Sequence, residues 1–426
     1  MNYNLNMKRK VLLVVVVILA VAILPLNRLF AQKIDETPIK VGILIDEEFT
    51  TFRAQSFSGH WRATFYPLIA SGSAEQNPAR KEVKTVSELV AEGEDLAISL
   101  TNKGLVGKLS TGKEIMGGYE KIVISGGELL NIEIPENRPM LLQGKLEIHI
   151  NIEESRLLLI NEINFHQFLV SSVSKFGISS EVEALKAYIV MARTRLKHLK
   201  ENTLHKEMAY EVCDKYHCLP FSGAGQNREL VDILVSMTAN KILQYRGKSV
   251  FPRYHHTCGG KVSSAKEIFN VDNEPYHVSV DDRVDNKGSE NCFHSPGFHW
   301  SIELEKLDLL EFIAMSWAGG ASRIFTGWEP LKIEDTGRIT RVLLRGRIPK
   351  EIDGVEFFEN LKMYFGPNSL KSMRFSMEVL RRSVIFRGMG QGLGVGMCLY
   401  GADGLAKKGK RYNEILEFYY PGVTIK

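Results

Sequence analysis

The chain lacks the features that mark several protein classes. Its 426 residues contain only 5 cysteines, an odd number that is too small for a disulfide framework. It has no internal repeat and no low-complexity tract, and hydrophobic residues make up 44% and charged residues 24% of it. Because these are ordinary globular values, a globally disordered, collagen-like or coiled-coil protein is excluded. The length favours two packed units over one minimal domain.

Acidic residues are absent from residues 1–31, whereas Lys8, Arg9, Lys10 and Arg28 lie there. These four residues account for the whole formal net charge of +4, since the rest of the chain has 50 basic and 50 acidic residues. A neutral body carries no electrostatic footprint for nucleic acid, so no nucleic-acid partner is expected.

Long hydrophobic runs are absent as well, with one exception near the N-terminus. Val11–Leu24 is an unbroken apolar run behind the basic cluster. This pattern is typical of a secretory signal, and the run is short of the roughly 20 residues that span a bilayer. Cleavage after Ala31 would place Leu29 where a small residue is preferred, so residues 1–31 are either a signal peptide or an N-terminal membrane anchor. Both predict an extracytoplasmic body, secreted, periplasmic or anchored at the outer face of the cytoplasmic membrane, that meets the membrane only through this segment.

The remainder of the chain predicts an α+β fold. Residues 33–134 form a β-rich N-terminal region, in which glycine breaks separate short strands and the polar stretch 71–83 is a loop. Strands and helices then alternate irregularly over 135–426, which argues against a doubly wound α/β fold. Early strands are expected at Ile39–Leu44, Leu105–Leu109, Lys121–Ser125, Leu146–Ile152 and Leu157–Asn161.

One helix has a clear start signal and a clear period. Ser180 and Glu183 have the spacing of a capping box, and apolar residues behind them recur at three- and four-residue intervals. An amphipathic helix is therefore predicted over about 180–200. Other helices are expected at Arg228–Ala239, Leu307–Met315, Gly354–Tyr364, Tyr400–Lys408 and Tyr412–Tyr419, and a β-hairpin around Thr336-Gly337.

Two cysteines and two histidines are close together in the sequence at His205, Cys213, His217 and Cys218. Four such ligands could hold zinc, which prefers four tetrahedral nitrogen and sulfur donors. His217 and Cys218 are adjacent and can both bind a metal only if they lie in a turn. A Cys213–Cys218 disulfide is the alternative.

A second group is the segment Tyr254–Gly260, a strand that ends in two glycines. Because His255 and His256 point to opposite faces of a strand, one of them can face a cleft. A solvated histidine pair at the strand end is the alternative.

Glycine also occupies every second position from 388 to 396. The alternation contains no Gly-x-x-Gly and no βαβ unit of about 30 residues frames it, so a dinucleotide site is rejected. A loop that presses against a core element or a polymeric ligand fits the pattern better.

These stretches, taken in order, resemble the SpoIID/LytB family of cell-wall proteins. The resemblance covers residues 38–426 and places a SpoIID/LytB-like domain at 135–426. Its motifs are Glu183–Ala187 with Ala192-Arg193-Thr194, Cys213-Asp214 with His217-Cys218, Tyr254–Gly260, Cys292–Pro296 with Trp300, Gly390–Met397 with Gly401-Ala402, and Tyr412–Gly422.

The resemblance implies an exported protein that acts on peptidoglycan, in sporulation or wall remodelling. Founding members are lytic transglycosylases, in which one glutamic acid protonates the glycosidic oxygen between N-acetylmuramic acid and N-acetylglucosamine and a 1,6-anhydro ring forms. Others modify the action of wall hydrolases. The family also implies one structural zinc held by His205, Cys213, His217 and Cys218. Implied glycan contacts are Tyr254, His255, His256, Thr257, Gly259, Gly260, Gln391, Gly392 and Gly394.

The chain departs from the family at the reacting acid. That glutamate lies eight residues before the glutamate of the E-A-L-K-A motif, a position that is Lys175 here. Residues 165–180 contain no acid at all, so a shift of the alignment does not restore one. A lysine has an unperturbed pKa near 10.4, and its charge has the wrong sign to stabilise an oxocarbenium-like centre.

Further departures lie in the glycine loop, where Leu393 replaces a histidine and Cys398-Leu399 replaces a serine–glutamine pair. The expected function is therefore a wall protein that binds glycan strands or a wall-hydrolase partner and has lost the catalytic glutamate. The alternative is an active lytic transglycosylase with another carboxylate, and the candidates are Glu181, Asp281 and Asp282. A Cys258–Cys292 disulfide is also considered, and Cys398 is expected to be a buried thiol.

Overall fold

The computed structural model describes residues 35–67, 84–202, 204–224, 228–283, 289–317, 325–346 and 349–426. The leader and the whole predicted loop at 71–83 lie outside this part of the chain. Within it no helix is both long and apolar enough to cross a membrane.

The described residues contain many strands and fewer helices, and the predicted α+β class is confirmed. The helices are α1 Phe165–Phe176, α2 Val182–Asn202, α3 Glu229–Met237, α4 Ala265–Phe269, α5 Lys306–Trp317, α6 Gly354–Phe365, α7 Leu399–Lys407 and α8 Tyr412–Tyr419. Each helix expected from the sequence is present, with ends that move by a few residues.

The first eleven strands precede every described helix. They are β1 Pro38–Ile43, β2 Thr51–Ser58, β3 Trp61–Pro67, β4 Val86–Val90, β5 Asp95–Thr101, β6 Gly104–Leu109, β7 Glu114–Ser125, β8 Leu129–Glu133, β9 Met140–Leu142, β10 Lys145–Asn151 and β11 Arg156–Asn164. The five strands expected from alternation and glycine breaks all fall inside this set.

The remaining strands lie between and after the helices. They are β12 Val212–Cys213, β13 Leu243–Tyr245, β14 Lys248–Ser249, β15 Tyr254–His255, β16 Lys261–Val262, β17 Val280–Asp281, β18 His299–Glu305, β19 Phe325–Ile333, β20 Ile339–Gly346, β21 Lys350–Asp353, β22 Phe375–Val379, β23 Ser383–Met389, β24 Met397–Cys398 and β25 Thr424–Ile425. The hairpin predicted around Thr336-Gly337 is formed by β19 and β20.

The chain divides into two compact units. Unit 1 comprises residues up to Phe176 together with Leu199–Asn240, and unit 2 comprises Gly177–His198 and Lys241–Lys426. The boundary expected between residues 134 and 135 is the start of the region that resembles the family. It is not a boundary between these two units, and it stays a prediction.

Unit 1 is built on one sheet of twelve strands. Its path runs β12-β1-β11-β10-β7-β6-β5-β2-β8-β9; β3 joins it by pairing with β7, and β4 pairs with β3. β12 is a parallel addition to β1, with Gly42 opposite Cys213. α1 follows β11 directly, and its Phe168 ring stacks on Phe221 with the ring centroids 5.6 Å apart.

Unit 2 contains smaller described sheets of two or three strands. Its largest apolar core lies around Trp300, Phe312, Phe358 and Phe386, between β18–β23, α5 and α6. The glycine loop follows β23, so this core supports one end of the candidate site.

The predicted capping box at the start of α2 is wrong. The helix begins at Val182 and its first helical bond runs from the Leu185 N–H to the Glu181 oxygen, so Glu181 and not Ser180 holds the N-cap position. The Glu183 carboxylate instead accepts the Tyr412 N–H at 2.8 Å. A hydrogen bond between residues 229 positions apart in the sequence therefore takes the place of the expected local one.

Candidate functional site

The glycine loop packs against the segment Tyr254–Gly260, and the expectation that it presses on a core element is confirmed. β15 and β24 pair in parallel on its flank. The positive φ angles of Gly390, Gly392, Gly394 and Gly396 require glycine. A Cβ on Gly396 would lie 1.9 Å from the carbonyl oxygen of Arg253, so no larger residue fits.

Two glycines expected to contact glycan contact protein groups in unit 2. A Cβ on Gly394 would lie 2.1 Å from Nη2 of Arg338, and one on Gly392 would lie 3.0 Å from the Cβ of His255. Gly394 is buried, whereas Gly392 is half-buried. Close backbone packing accounts for both glycines.

Thr257 and Gln391 connect the two segments through their backbones. The Thr257 N–H donates to the Gln391 oxygen at 3.1 Å, and the Gln391 N–H donates to the Thr257 oxygen at 2.8 Å. Thr257, Gly259 and Gly260 are buried, whereas Gln391 is half-buried. Among these four residues, Gln391 has the side chain that reaches the surface.

The two adjacent histidines differ in environment, as the strand alternation predicts. His255 is buried and its Nδ1 donates to the Val395 oxygen at 3.1 Å. Burial, assisted by the nearby Arg338 charge, lowers the pKa of His255 to about 3, so its ring stays neutral. His256 is half-buried, and desolvation lowers its pKa as well. Tyr254 is half-buried beneath Arg195, whose guanidinium carbon lies 5.5 Å from the ring centroid.

A partly exposed group of rings surrounds His256, and the sequence reasoning did not identify it. We call His256, His294, Tyr400 and Asp403 the aromatic patch. The Tyr400 ring centroid lies 5.8 Å from that of His256 and 5.4 Å from that of His294. Nε2 of His294 lies 2.7 Å from Oδ2 of the buried Asp403. The Tyr400 N–H donates to the His256 oxygen at 3.1 Å, which joins the start of α7 to the end of β15.

Lys175 lies in the last turn of α1, in unit 1, and is exposed. The helix that carries it, Phe165–Phe176, contains no carboxylate. A cation at the C-terminal end of a helix interacts favourably with the helix dipole, which gives Lys175 an ordinary structural explanation.

The other acid candidates belong to unit 2 and have different surroundings. Glu181 is half-buried just before α2. Asp281 pairs with Arg283, whose guanidinium lowers the pKa of that carboxyl. Asp282 is fully buried, and burial raises its pKa well above the usual value.

The predicted zinc ligands converge in unit 1. We call His205, Cys213, His217 and Cys218 the His/Cys cluster, and their donor atoms all lie within 4.8 Å of one another. Nε2 of His205 lies 3.2 Å from Sγ of Cys218, and Sγ of Cys213 lies 3.0 Å from Nε2 of His217. The Cys218 N–H donates to the Lys215 oxygen at 3.0 Å, which closes the turn that adjacent ligands require. Cys213 and Cys218 do not form a disulfide in the structure, and this donor set suits zinc.

A second group of four donors lies in unit 2. We call Cys258, Asp282, Cys292 and Cys398 the Cys/Asp cluster, and their donor atoms also lie within 4.8 Å of one another. Sγ of Cys258 lies 3.3 Å from Sγ of Cys292, and both thiols are free, so the structure has no disulfide here. Cys398 is buried, as expected. The sequence held a signal for Cys258 and Cys292, which were considered as a pair, but none that joined them to Asp282 and Cys398.

Comparisons with known proteins agree with this picture. A sequence model of the family described as "SpoIID: Stage II sporulation protein" matches residues 153–245. An uncharacterized protein of Brachyspira hyodysenteriae is 28% identical over 272 residues, which cover 63% of this chain and 68% of that protein. An amidase enhancer of Bacillus subtilis is 24% identical over 292 residues, 58% of this chain but only 38% of that protein.

A third relative carries the family's own name. Stage II sporulation protein D of Bacillus amyloliquefaciens is 24% identical over 286 residues, 62% of this chain and 75% of that protein. The matched segment 153–245 contains Lys175, the E-A-L-K-A helix and the His/Cys cluster. The family match over this segment and these relatives support the resemblance of this chain to the SpoIID/LytB family.

Proposed function

We propose that this chain is an exported cell-wall protein that binds peptidoglycan glycan strands and does not cleave them. The observation that carries the proposal is Lys175. The family's reacting acid occupies this position, and here an exposed lysine ends a helix without any carboxylate.

The other carboxylates support the same reading. A general acid must come within hydrogen-bond reach of the glycosidic oxygen. Asp282 has no exposed surface and contacts thiols and Tyr419. Asp281 is held as an anion by Arg283, so it is poorly suited to donate a proton at neutral pH.

The aromatic patch supports binding. Sugar rings stack on aromatic faces and exchange hydrogen bonds with nearby polar groups, and Tyr400, His256 and His294 offer both. The half-buried Gln391 adds an amide donor and acceptor in the same unit. The aromatic patch has the means to hold a glycan strand, and neither Asp281 nor Asp282 is suited to break it.

Co-sedimentation tests binding, and product analysis tests cleavage. For binding, the full chain is incubated with insoluble cell-wall sacculi and pelleted. For cleavage, it is incubated with glycan strands freed of stem peptides, and the products are analysed for 1,6-anhydro-muramoyl ends. We expect the protein in the pellet and no such ends. Anhydro ends formed by the wild-type chain would refute the loss of cleavage, and absence from the pellet would refute glycan binding.

Matched variants separate the two parts of the proposal. Tyr400→Ala should reduce binding about tenfold, whereas Tyr364→Ala, which removes another exposed tyrosine of unit 2, should leave it unchanged. Lys175→Glu restores a carboxyl at the family position, and a gain of anhydro ends in this variant alone would confirm that Lys175 accounts for the loss. If the wild type cleaves, Glu181→Ala and Asp281→Ala identify the acid.

A wall-hydrolase partner is the second candidate, and one observation favours it. A relative over 58% of this chain is named an amidase enhancer. A chain that fails to pellet with glycan but accelerates the release of stem peptides by a purified wall amidase would replace glycan binding with this role.

We also propose that the His/Cys cluster holds one zinc ion in a structural site. Four protein donors fill a tetrahedron and leave no position for a reacting water. Zinc content of the purified chain should fall by one ion per chain in Cys213→Ser. A Cys213–Cys218 disulfide, detected by mass spectrometry without reduction, would overturn this assignment.

Export is proposed from the leader. Protease added to intact cells that express the full chain should degrade it, and the same protease should spare a cytoplasmic marker. The mass of the recovered protein distinguishes cleavage near Ala31 from an uncleaved anchor.

A further inference from the structure

The Cys/Asp cluster has an arrangement that a disulfide pair does not explain. Its four members come from separate segments: Cys258 from the turn after β15, Asp282 from the end of β17, Cys292 from a turn before β18, and Cys398 from the start of α7. Each is fully buried in unit 2. We propose that this cluster is a second metal site, which binds a thiophilic divalent cation such as zinc through three thiolates and one carboxylate.

The distances suit one ion at the centre. Four donors around zinc, with Zn–S near 2.3 Å and Zn–O near 2.0 Å, are separated by roughly 3.5–3.8 Å. The donor atoms here lie within 4.8 Å of one another, with 3.3 Å between Sγ of Cys258 and Sγ of Cys292. Sγ of Cys258 lies 3.1 Å from Oδ2 of Asp282. Small outward shifts of these atoms would accommodate the ion.

A buried carboxyl calls for a partner charge. No lysine, arginine or histidine forms a salt bridge with Asp282 anywhere in the described residues. Tyr419 donates to its Oδ1 at 2.6 Å, and the Cys292 N–H donates to Oδ2 at 3.2 Å. These donors orient the carboxylate, as outer groups orient metal ligands, while Oδ2 faces the thiols. A divalent cation would supply the charge that the side chains of the described residues do not.

The sulfur of Cys398 is arranged for a thiolate. It accepts the N–H groups of Cys258 and Gly401, each at 3.2 Å. Cys398 is also the N-cap of α7, a helix of nine residues whose N-terminus favours a negative group. The guanidinium of the buried Arg338 donates to the Cys258 oxygen at 2.8 Å, which adds positive charge beside a site of three thiolates.

Occupation would release one proton from each cysteine thiol, because only thiolates bind the ion. Four protein ligands leave no open position, so the site is structural. It would tie the end of β15 to the start of α7, the two places from which His256 and Tyr400 of the aromatic patch arise.

Metal content and cadmium NMR test the proposal on the full chain, purified under reducing conditions with zinc or cadmium-113. We expect two zinc ions per chain and two cadmium-113 resonances, the more deshielded one from the site with three sulfurs. Cys292→Ser should lose that resonance and one zinc, whereas Ser263→Ala, a buried hydroxyl outside the cluster, should keep both.

The readout does not depend on glycan binding, so its failure is distinct from failure of the proposed function. A folded wild type with one zinc and one resonance, both of which persist in Cys292→Ser, would overturn the second site. A Cys258–Cys292 disulfide that, once reduced, leaves a chain unable to take up the second ion would overturn it too. If Cys292→Ser does not fold, Asp282→Asn replaces it, and retention of two zinc ions at equal affinity would contradict the ligand assignment.

Discussion

The two compact units differ in how their strands are held. In unit 1, β10 and β11 exchange a ladder over seven residue pairs within a twelve-stranded sheet. Around the glycine loop of unit 2, β15 and β24 pair over only two residues. The other strand-like contacts there are isolated bridges, such as the one between Thr257 and Gln391. Glycine packing and buried polar groups take the place of long ladders there.

The two metal-type clusters repeat this difference. The His/Cys cluster is drawn from one short stretch and includes an exposed histidine, whereas the Cys/Asp cluster joins four distant segments and is fully buried. The site region of unit 2 is held together by tertiary contacts. We therefore expect substitutions and acid to lower the stability of unit 2 more than that of unit 1.

The largest effect is expected from Gly396→Ala. The new Cβ would overlap the Arg253 oxygen, and φ is +75°, so we expect a loss of about 4 kcal/mol in the free energy of unfolding. Gly409→Ala is the control, because its φ is +83° but nothing lies within 4 Å, and it should cost only about 1 kcal/mol. Urea unfolding followed by tryptophan fluorescence measures both, since Trp300, Trp317 and Trp328 lie in unit 2. Equal losses would remove the argument from glycine packing.

The next effect is acid sensitivity of unit 2 through His277. Burial lowers the pKa of this histidine to about 4, with Glu274 opposing and Arg253 and Arg195 reinforcing the shift. Because the unfolded chain binds a proton near pH 6.5 and the folded chain does not, stability is full above pH 6.5. About 3 kcal/mol should be lost as the pH falls to 4. Urea midpoints across this range measure the loss, and His277→Gln should make it about 3 kcal/mol smaller, which leaves the share of His255.

Unit 1 supplies the contrast at the same pH. Glu147 is ringed by Lys40, Lys121 and Lys145, which hold its pKa well below the usual range despite burial. Its contribution is present above the unfolded pKa near 4.3 and is lost only at lower pH. Hydrogen exchange at pH 5 should therefore show unit 2 peptides opening before those of unit 1, and the reverse order would contradict the comparison.

A smaller effect is expected in the rate of metal loss. A chelator reaches the exposed His217 directly but reaches the buried cluster only when unit 2 opens. We expect two phases of zinc release, the slower about tenfold slower, which corresponds to about 1.4 kcal/mol in barrier height. Cys213→Ser should remove the fast phase and Cys292→Ser the slow one. A single phase in the wild type would mean that burial does not protect the second site.

The smallest effect is expected at Lys175. Lys175→Glu places an anion at the C-terminal end of α1 and should cost about 0.5 kcal/mol, since the side chain is exposed. Lys175→Gln should cost less. Hydrogen exchange of α1 peptides measures the difference. A loss above 2 kcal/mol would show that this lysine is needed for folding.

Local patterns predicted the fold class and most elements. Alternation and glycine breaks located β1 and β11, and the apolar period located α2. The capping box failed because Glu183 bonds to Tyr412, a contact that no local window contains. The His/Cys cluster was predictable because zinc ligands come in close pairs, and three of its members lie within six residues.

The rest of the site depends on long-range contacts. Asp282 was considered as an acid because its sequence neighbours do not reveal that it is buried among thiols. Tyr400 was not identified, since its proximity to His256 follows from the pairing of β15 with β24. The alternating glycines at 388–396 are visible in the sequence as a pattern, but the atoms against which each of them packs are known only from the structure.

The interleaving of the units has a consequence for the order of folding during synthesis. The chain passes from unit 1 to unit 2 after Phe176, returns at Leu199 and leaves again after Asn240. Domains that follow one another along a chain fold in turn from the N-terminus. Here the first unit is incomplete until residue 240 has emerged, and by then a helix belonging mainly to the other unit is already present. The helix Val182–Asn202 therefore forms before Leu399 and Tyr412, with which it shares hydrogen bonds, have been synthesised.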